Sequence, residues 1–264
     1  VSVLSAGQWT KVSVDHQGIY TVSAAFLKNA GLTTAIPSAN IRIFGTGGGV
    51  LPESNQQAIA DDLPEVAIDM NDGGDGVFDG NDFFLFYAPG PDQWIFQPTT
   101  SEFGFQKNPY SDQSFYFINI GNTPGKRITE MPVVSNSSTV VVDFDEHYRH
   151  ELDSINFLRS GKEWYGEPFG TQTGKLSSRD FNLNFSGAVV GTDFTLHSEV
   201  VGRSFEQPNR MPVLLNGQTL FEHSTPPLVG TLLEPAANMS RKSGKGKLTG
   251  NGLVVGYKLN GGSA

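Results

Sequence analysis

Trp9-Thr10-Lys11-Val12-Ser13-Val14 alternates apolar with polar residues, Asp15-His16-Gln17-Gly18 supplies turn chemistry, and Ile19-Tyr20-Thr21-Val22 resumes the extended pattern. Alternation of this kind suits a strand with one face in a core and one in water, so the stretch reads as a β-hairpin. Short runs of the same type follow at Ile41–Phe44, Val66–Ile68, Phe83–Tyr87, Phe115–Ile118 and Val140–Val142. Ser23 is placed to cap a short helix over Ala24–Asn29, which Gly31 would close, with Phe26 and Leu27 facing the core. A second helix is expected over Asp145–Ser160, where Tyr148, Leu152, Ile155 and Leu158 or Arg159 recur at spacings of three and four, ending at Gly161.

Farther along, runs at Phe181–Phe185, Phe194–Val201, Met211–Leu215, Leu228–Leu233 and Leu253–Leu259 are separated by turns such as Asn216-Gly217. That spacing predicts an antiparallel sandwich. The Ser-rich, non-periodic stretch Met131–Thr139 reads as a connector. The expected chain is therefore mostly β. Residues 1–134 form a small β-rich domain with one short helix, and residues 135–264 form a connecting helix and an antiparallel β-sandwich, incomplete at its C-terminal end.

Composition narrows the function. With 18 Lys and Arg against 27 Asp and Glu, the net charge is −9, which disfavours nonspecific nucleic-acid binding because that affinity comes from neutralising phosphates. The 19 Phe give the chain enough large apolar side chains to build a core. The absence of cysteine excludes disulfides, Cys-ligated zinc and a thiolate nucleophile. No apolar run is long enough to span a membrane, and Val1–Thr10 lack the charged start and apolar centre of a signal peptide.

The densest polar cluster runs from Asp69 to Asp82. Started at Asn71, it partly fits a calcium loop, with Asp75 as the fifth ligand position, Gly76 at the sharp turn, Val77 offering a carbonyl, and Asp79 and Asp82 at the ninth and twelfth positions. Gly73 stands where a ligand is expected and neither flank is helical, so a hairpin connection rich in turn formers is the competing reading. If calcium binds, millimolar calcium raises the melting temperature.

His147 and His150 lie three apart on the expected helix, a spacing that lets two imidazoles reach one metal ion, although a charged helix face is the plainer account. Gly45-Thr46-Gly47-Gly48-Gly49-Val50 follows a strand, but Val50 and Pro52 leave no helix start for a dinucleotide phosphate, so it reads as a glycine turn. No Gly-x-Ser-x-Gly elbow occurs. The basic run Arg241–Lys247 reads as a solvated loop, or as a contact for an anionic glycan, a lipid headgroup or an acidic partner. Trp164, Tyr165 and Phe169 could stack on a sugar ring or pack beneath a loop.

Several phrases, in order, resemble one family. They begin with Gly7-Gln8-Trp9-Thr10-Lys11-Val12, Gly18-Ile19-Tyr20 and Asn40-Ile41-Arg42-Ile43-Phe44-Gly45, followed by Leu51-Pro52-Glu53. Asp75-Gly76-Val77-Phe78-Asp79, Asp82–Ala88 and Gly90-Pro91-Asp92-Gln93-Trp94 come next, and Ser160–Glu167 follows later. Together they are similar to the N-terminal region of PorU-type sortases, gingipain-like cysteine peptidases of the bacterial type IX secretion system. The resemblance implies a parent protein on the bacterial cell surface, associated with the outer membrane. Such a protein cleaves C-terminal sorting signals from secreted cargo and attaches the product to lipopolysaccharide, working with an outer-membrane β-barrel partner.

In that family the catalytic Cys and His lie in a following peptidase domain, and none of the five His here falls in such a motif. The region would then be noncatalytic, serving partner docking, cargo recognition or positioning of the peptidase domain. The alternative is a secreted carbohydrate-binding β-sandwich module that uses the aromatics and the calcium loop. A self-contained hydrolase would need paired carboxylates near Asp75 or Glu163 to converge.

Overall fold

In the computed structural model the strands flanking Asp15–Gln17 do not pair with each other. Trp9–Val14 lies antiparallel to Ser114–Ile120, which pairs with Ile41–Gly45, which pairs with Glu65–Val66. Gly18–Ser23 enters a different sheet, beside Phe83–Ala88, whose other neighbour is Asp69–Asn71. The expected hairpin is instead a corner. Tyr20 donates its hydroxyl hydrogen to the His16 carbonyl at 2.8 Å, and Gly90 presses so close that a Cβ there would come 2.6 Å from the His16 backbone. Turning the corner lets both strands bury their apolar faces, Val14 on one and Val22 on the other, in a single core.

The structure describes residues 1–32, 35–132, 139–159, 161, 163–231 and 234–260. The chain divides into two compact units, Val1–Arg149 and His150–Ala264. Most of the expected connector at 131–139 lies outside the described residues.

The core of the first unit is built from Ile41, Ile43, Ile68, Phe78, Phe84, Phe86, Tyr116 and Ile118, all essentially inaccessible. The helix Ala24–Asn29 forms as read: the Ser23 hydroxyl accepts from the Phe26 amide at 3.1 Å, and Gly31 takes φ +84°. Only Leu27 and Ala24 reach the core, while Phe26 is half-exposed. A helix this short offers the core one face, and residues three apart occupy it.

The helix expected over Asp145–Ser160 does not form, and among the described residues there this stretch is without helical structure. Its periodicity was coincidental, since Tyr148, Leu152 and Leu158 are all exposed rather than aligned on a buried stripe. The anchors are instead His147 and Arg149, two residues apart, which rest on aromatic rings of the hairpin Gln93–Gln97 and Glu102–Gln106. Spacing by two is extended geometry. Val140–Val142, read as a strand, is unpaired and almost fully exposed.

In the second unit Ser178–Asn184, Gly252–Lys258, Asn209–Leu215 and Gln218–Thr225 make an antiparallel sheet in that spatial order. The Asn216-Gly217 turn has both residues at positive φ, 49° and 83°, as a two-residue hairpin demands. Asp193–Gly202 pairs with Asn238–Lys247 in a long ribbon. Its Phe194 and Leu196 pack against Val213, Leu253 and Val255, the sandwich-type core. Leu228–Thr231, part of an expected strand, is not one.

The missed strand is the basic run. Lys245 and Lys247 alternate with Gly244 and Gly246, and the glycines face inward because a Cβ on Gly246 would lie 2.6 Å from the Phe194 ring. Outward, Lys247 pairs with Asp193 at 2.7 Å and Arg241 with Glu199. Two of the run's four cations are thus paired with the neighbouring strand, and the solvated-loop reading is corrected.

Candidate functional site

The loop with the expected calcium ligands uses its carboxylates to cap its own turns. Asp75 accepts from the Val77 amide at 2.9 Å, and Asp82 accepts from the Asp79 amide at 2.8 Å. Asp72 accepts from the Ser38 hydroxyl and from the Gly74 amide, and the Ser38 bond, then the amide, hold its carboxyl below the usual range. Gly73, Gly74, Gly76 and Gly80 all take positive φ, which explains their number between two strands. Asn71 sits in the strand paired with Phe83, and Val77 in the short strand paired with Pro37. Among the described residues no three acidic or imidazole side chains gather around a point that could hold a metal ion.

His147 and His150 go to different places. The His147 ring lies 4.3 Å from Trp94 and 5.0 Å from Phe103 in the first unit. In the second unit, His150 Nε2 lies 2.6 Å from Glu167 Oε1 and its ring packs on Phe181. The three aromatics read as a sugar platform also disperse: Trp164 is exposed, Tyr165 stacks on Phe157, and Phe169 packs on Tyr257 beneath Arg179. Of the hydrolase candidates, Asp75 is occupied by its turn, and Glu163 accepts from the Tyr165 hydroxyl at 3.3 Å.

Two features were not read from sequence. The first is the hairpin Gln93–Gln106, whose register puts Trp94, Phe96, Phe103 and Phe105 on one face. His147 and the Arg149 guanidinium, the latter 4.5 Å over Phe105, cover part of it, and Phe96 and Phe103 remain half-exposed. On the opposite face Ile95 is also exposed. The alternation in Gln93-Trp94-Ile95-Phe96-Gln97 and Glu102-Phe103-Gly104-Phe105-Gln106 carried that signal.

The second is His223, 1% exposed, with Nδ1 2.9 Å from the Ser240 hydroxyl and Nε2 2.9 Å from the Ser198 hydroxyl, which in turn meets the Tyr257 hydroxyl at 2.8 Å. Burial, then the Lys242 charge, pushes the imidazole down to about 4, so it is neutral at pH 7. Enclosure of both serines and the imidazole leaves no approach for a substrate, and the chain of hydrogen bonds fastens neighbouring strands.

Fold and residues together define a mostly β, two-unit chain that cannot carry a cysteine-peptidase centre, since it has no cysteine. No protein-family profile matches it, and no curated protein sequence does. Its fold is that of part of the crystal structure of dimeric latent PorU from Porphyromonas gingivalis, with a TM-score of 0.75 and 22% identity over 99% of this chain. The chain spans 23% of the length of that PorU chain.

Proposed function

We propose that this chain is a noncatalytic docking and positioning region of a PorU-like sortase of the type IX secretion system. The carrying observation is that a PorU-related fold extends over 99% of a chain without cysteine, so cysteine-peptidase chemistry must lie outside it. The ordered sequence phrases support the same assignment. The parent protein acts at the bacterial cell surface, removing C-terminal sorting signals and attaching cargo to lipopolysaccharide beside an outer-membrane β-barrel. The aromatic hairpin Gln93–Gln106 is the docking element, because it exposes Phe96 and Phe103 side by side on one face and Ile95 on the other.

The test deletes residues 1–260 from the full-length protein. Cleavage of a sorting-signal peptide by the purified remainder should persist while assembly at the outer membrane is lost. Turnover of that peptide by the 264-residue chain alone, or normal assembly without it, would refute the reading.

A further inference from the structure

Past the strand Ile41–Gly45, the chain passes through Gly47, Gly48 and Gly49, all at positive φ, between 72° and 83°. The turn is locked from one side. A Cβ on Gly48 would lie 1.9 Å from the Gly90 carbonyl oxygen, the Gly49 amide donates to that oxygen at 3.0 Å, and Asn108 Nδ2 donates to the Gly49 carbonyl at 3.3 Å. The glycine turn therefore has one fixed shape before any ligand arrives.

Its other side opens on a cleft of about 290 Å³ in the first unit. Lys11, Leu63, Ser114, Phe115 and Phe117 line it with the glycines, and no acidic residue does. The Lys11 ammonium sits 3.6 Å over the centroid of the Phe115 ring and has no carboxylate partner among the described residues. In an acidic protein, a cleft with one unneutralised cation is a place where a negative group gains and the rest of the surface repels.

We propose that this cleft binds a ligand carrying one carboxylate on a small apolar body. Lys11 neutralises the carboxylate, while Phe115, Phe117 and Leu63 cover the apolar part. A phosphate dianion fits less well, since the lining holds one ammonium, no guanidinium and no helix N-terminus. The volume stands at the low end for small-ligand sites, which suits a single aromatic amino acid or the last residue of a peptide. The carboxylate is either that of a free acid or a chain terminus.

The probe is N-acetyl-L-phenylalanine, titrated into the 264-residue chain and followed by the amide resonances of Gly48, Gly49 and Ser114. Saturable shifts are expected, with the corresponding amide, N-acetyl-L-phenylalaninamide, binding about tenfold more weakly or worse, as loss of a charge-assisted contact implies. Lys11→Met should bring a similar loss with unchanged melting temperature. A hexapeptide ending in Phe with a free carboxylate that binds more tightly than the acid assigns the site to chain termini. Binding of the acid without the hexapeptide assigns it to free acids. Equal binding of acid and amide, wild-type binding by Lys11→Met, or no saturable shift overturns the proposal.

Discussion

The two units hold themselves together by different means. The first packs Phe78, Phe84, Phe86 and Tyr116 against a layer of isoleucines, with ring centroids 5.1 Å apart for Phe86 and Tyr116 and 6.1 Å apart for Phe78 and Phe84. Among the described residues of the second, the apolar cluster buries Val213, Leu253 and Val255, and beside them runs the hydrogen-bonded row Ser240, His223, Ser198, Tyr257. Apolar burial is insensitive to pH, whereas a buried imidazole is not. The contrast is between a core without an imidazole and one that contains one.

The largest test of this contrast is Phe84→Ala. Phe84 is fully enclosed, and its truncation should cost the first unit about 3–5 kcal/mol in chemical denaturation, leaving the second unit's transition in place. A loss shared equally by both transitions would show one cooperative block in place of two cores.

Next in size is acid. The folded His223 imidazole lies at about 4 against an ordinary 6.5, so the unfolded chain takes up its proton first as pH falls. Stability from this group is complete above pH 6.5, declines below it, and is gone below about pH 4, a total of about 3 kcal/mol. Melting of the second unit between pH 7 and 5 should show this slope, and His223→Asn should flatten it. A slope unchanged by that substitution would assign the acid response elsewhere.

Tyr116→Phe should have a small effect of opposite sign. The Tyr116 hydroxyl is buried without a partner among the described residues and burial pushes it up to about 12, so its removal should leave the first unit unchanged or stabilise it by up to about 1 kcal/mol. A marked destabilisation would reveal a hydrogen bond to water. Smallest of all is the response to calcium: melts in millimolar calcium and in EDTA should superimpose, because among the described residues no three acidic side chains gather around one point. A calcium-dependent rise would mean that the loop rearranges around the ion.

What could be read from sequence was local. Ser23 before Ala24–Asn29 and the Asn216-Gly217 turn state their geometry in adjacent residues, and strands such as Phe83–Ala88 announce themselves by composition. Pairing was not legible, because Trp9–Val14 meets a strand about a hundred positions away that competes with the nearer Gly18–Ser23. Spacings of three and four over Tyr148–Leu158 mimicked a helix, whereas burial there is decided by rings of a distant hairpin. Charge concealed the strand Asn238–Lys247, in which lysine was the visible residue and glycine the packed one. The His223 row required knowing that Ser198 and Ser240 flank it on neighbouring strands, and the Lys11 cleft required Gly90 behind the glycine turn.

The ribbon Asp193–Gly202 with Asn238–Lys247 has one more consequence. A two-stranded ribbon ten residues long offers backbone edges that another chain could extend into a larger sheet. The register places Lys242 opposite Ser198, on the face that otherwise turns inward, and sets Lys245 and Lys247 along the outer one. Any molecule adding a strand there would have to bring its backbone up against ammonium groups and glycines that give it little apolar surface to cover. The ribbon is thereby protected against self-association along two of the longest strands of the second unit.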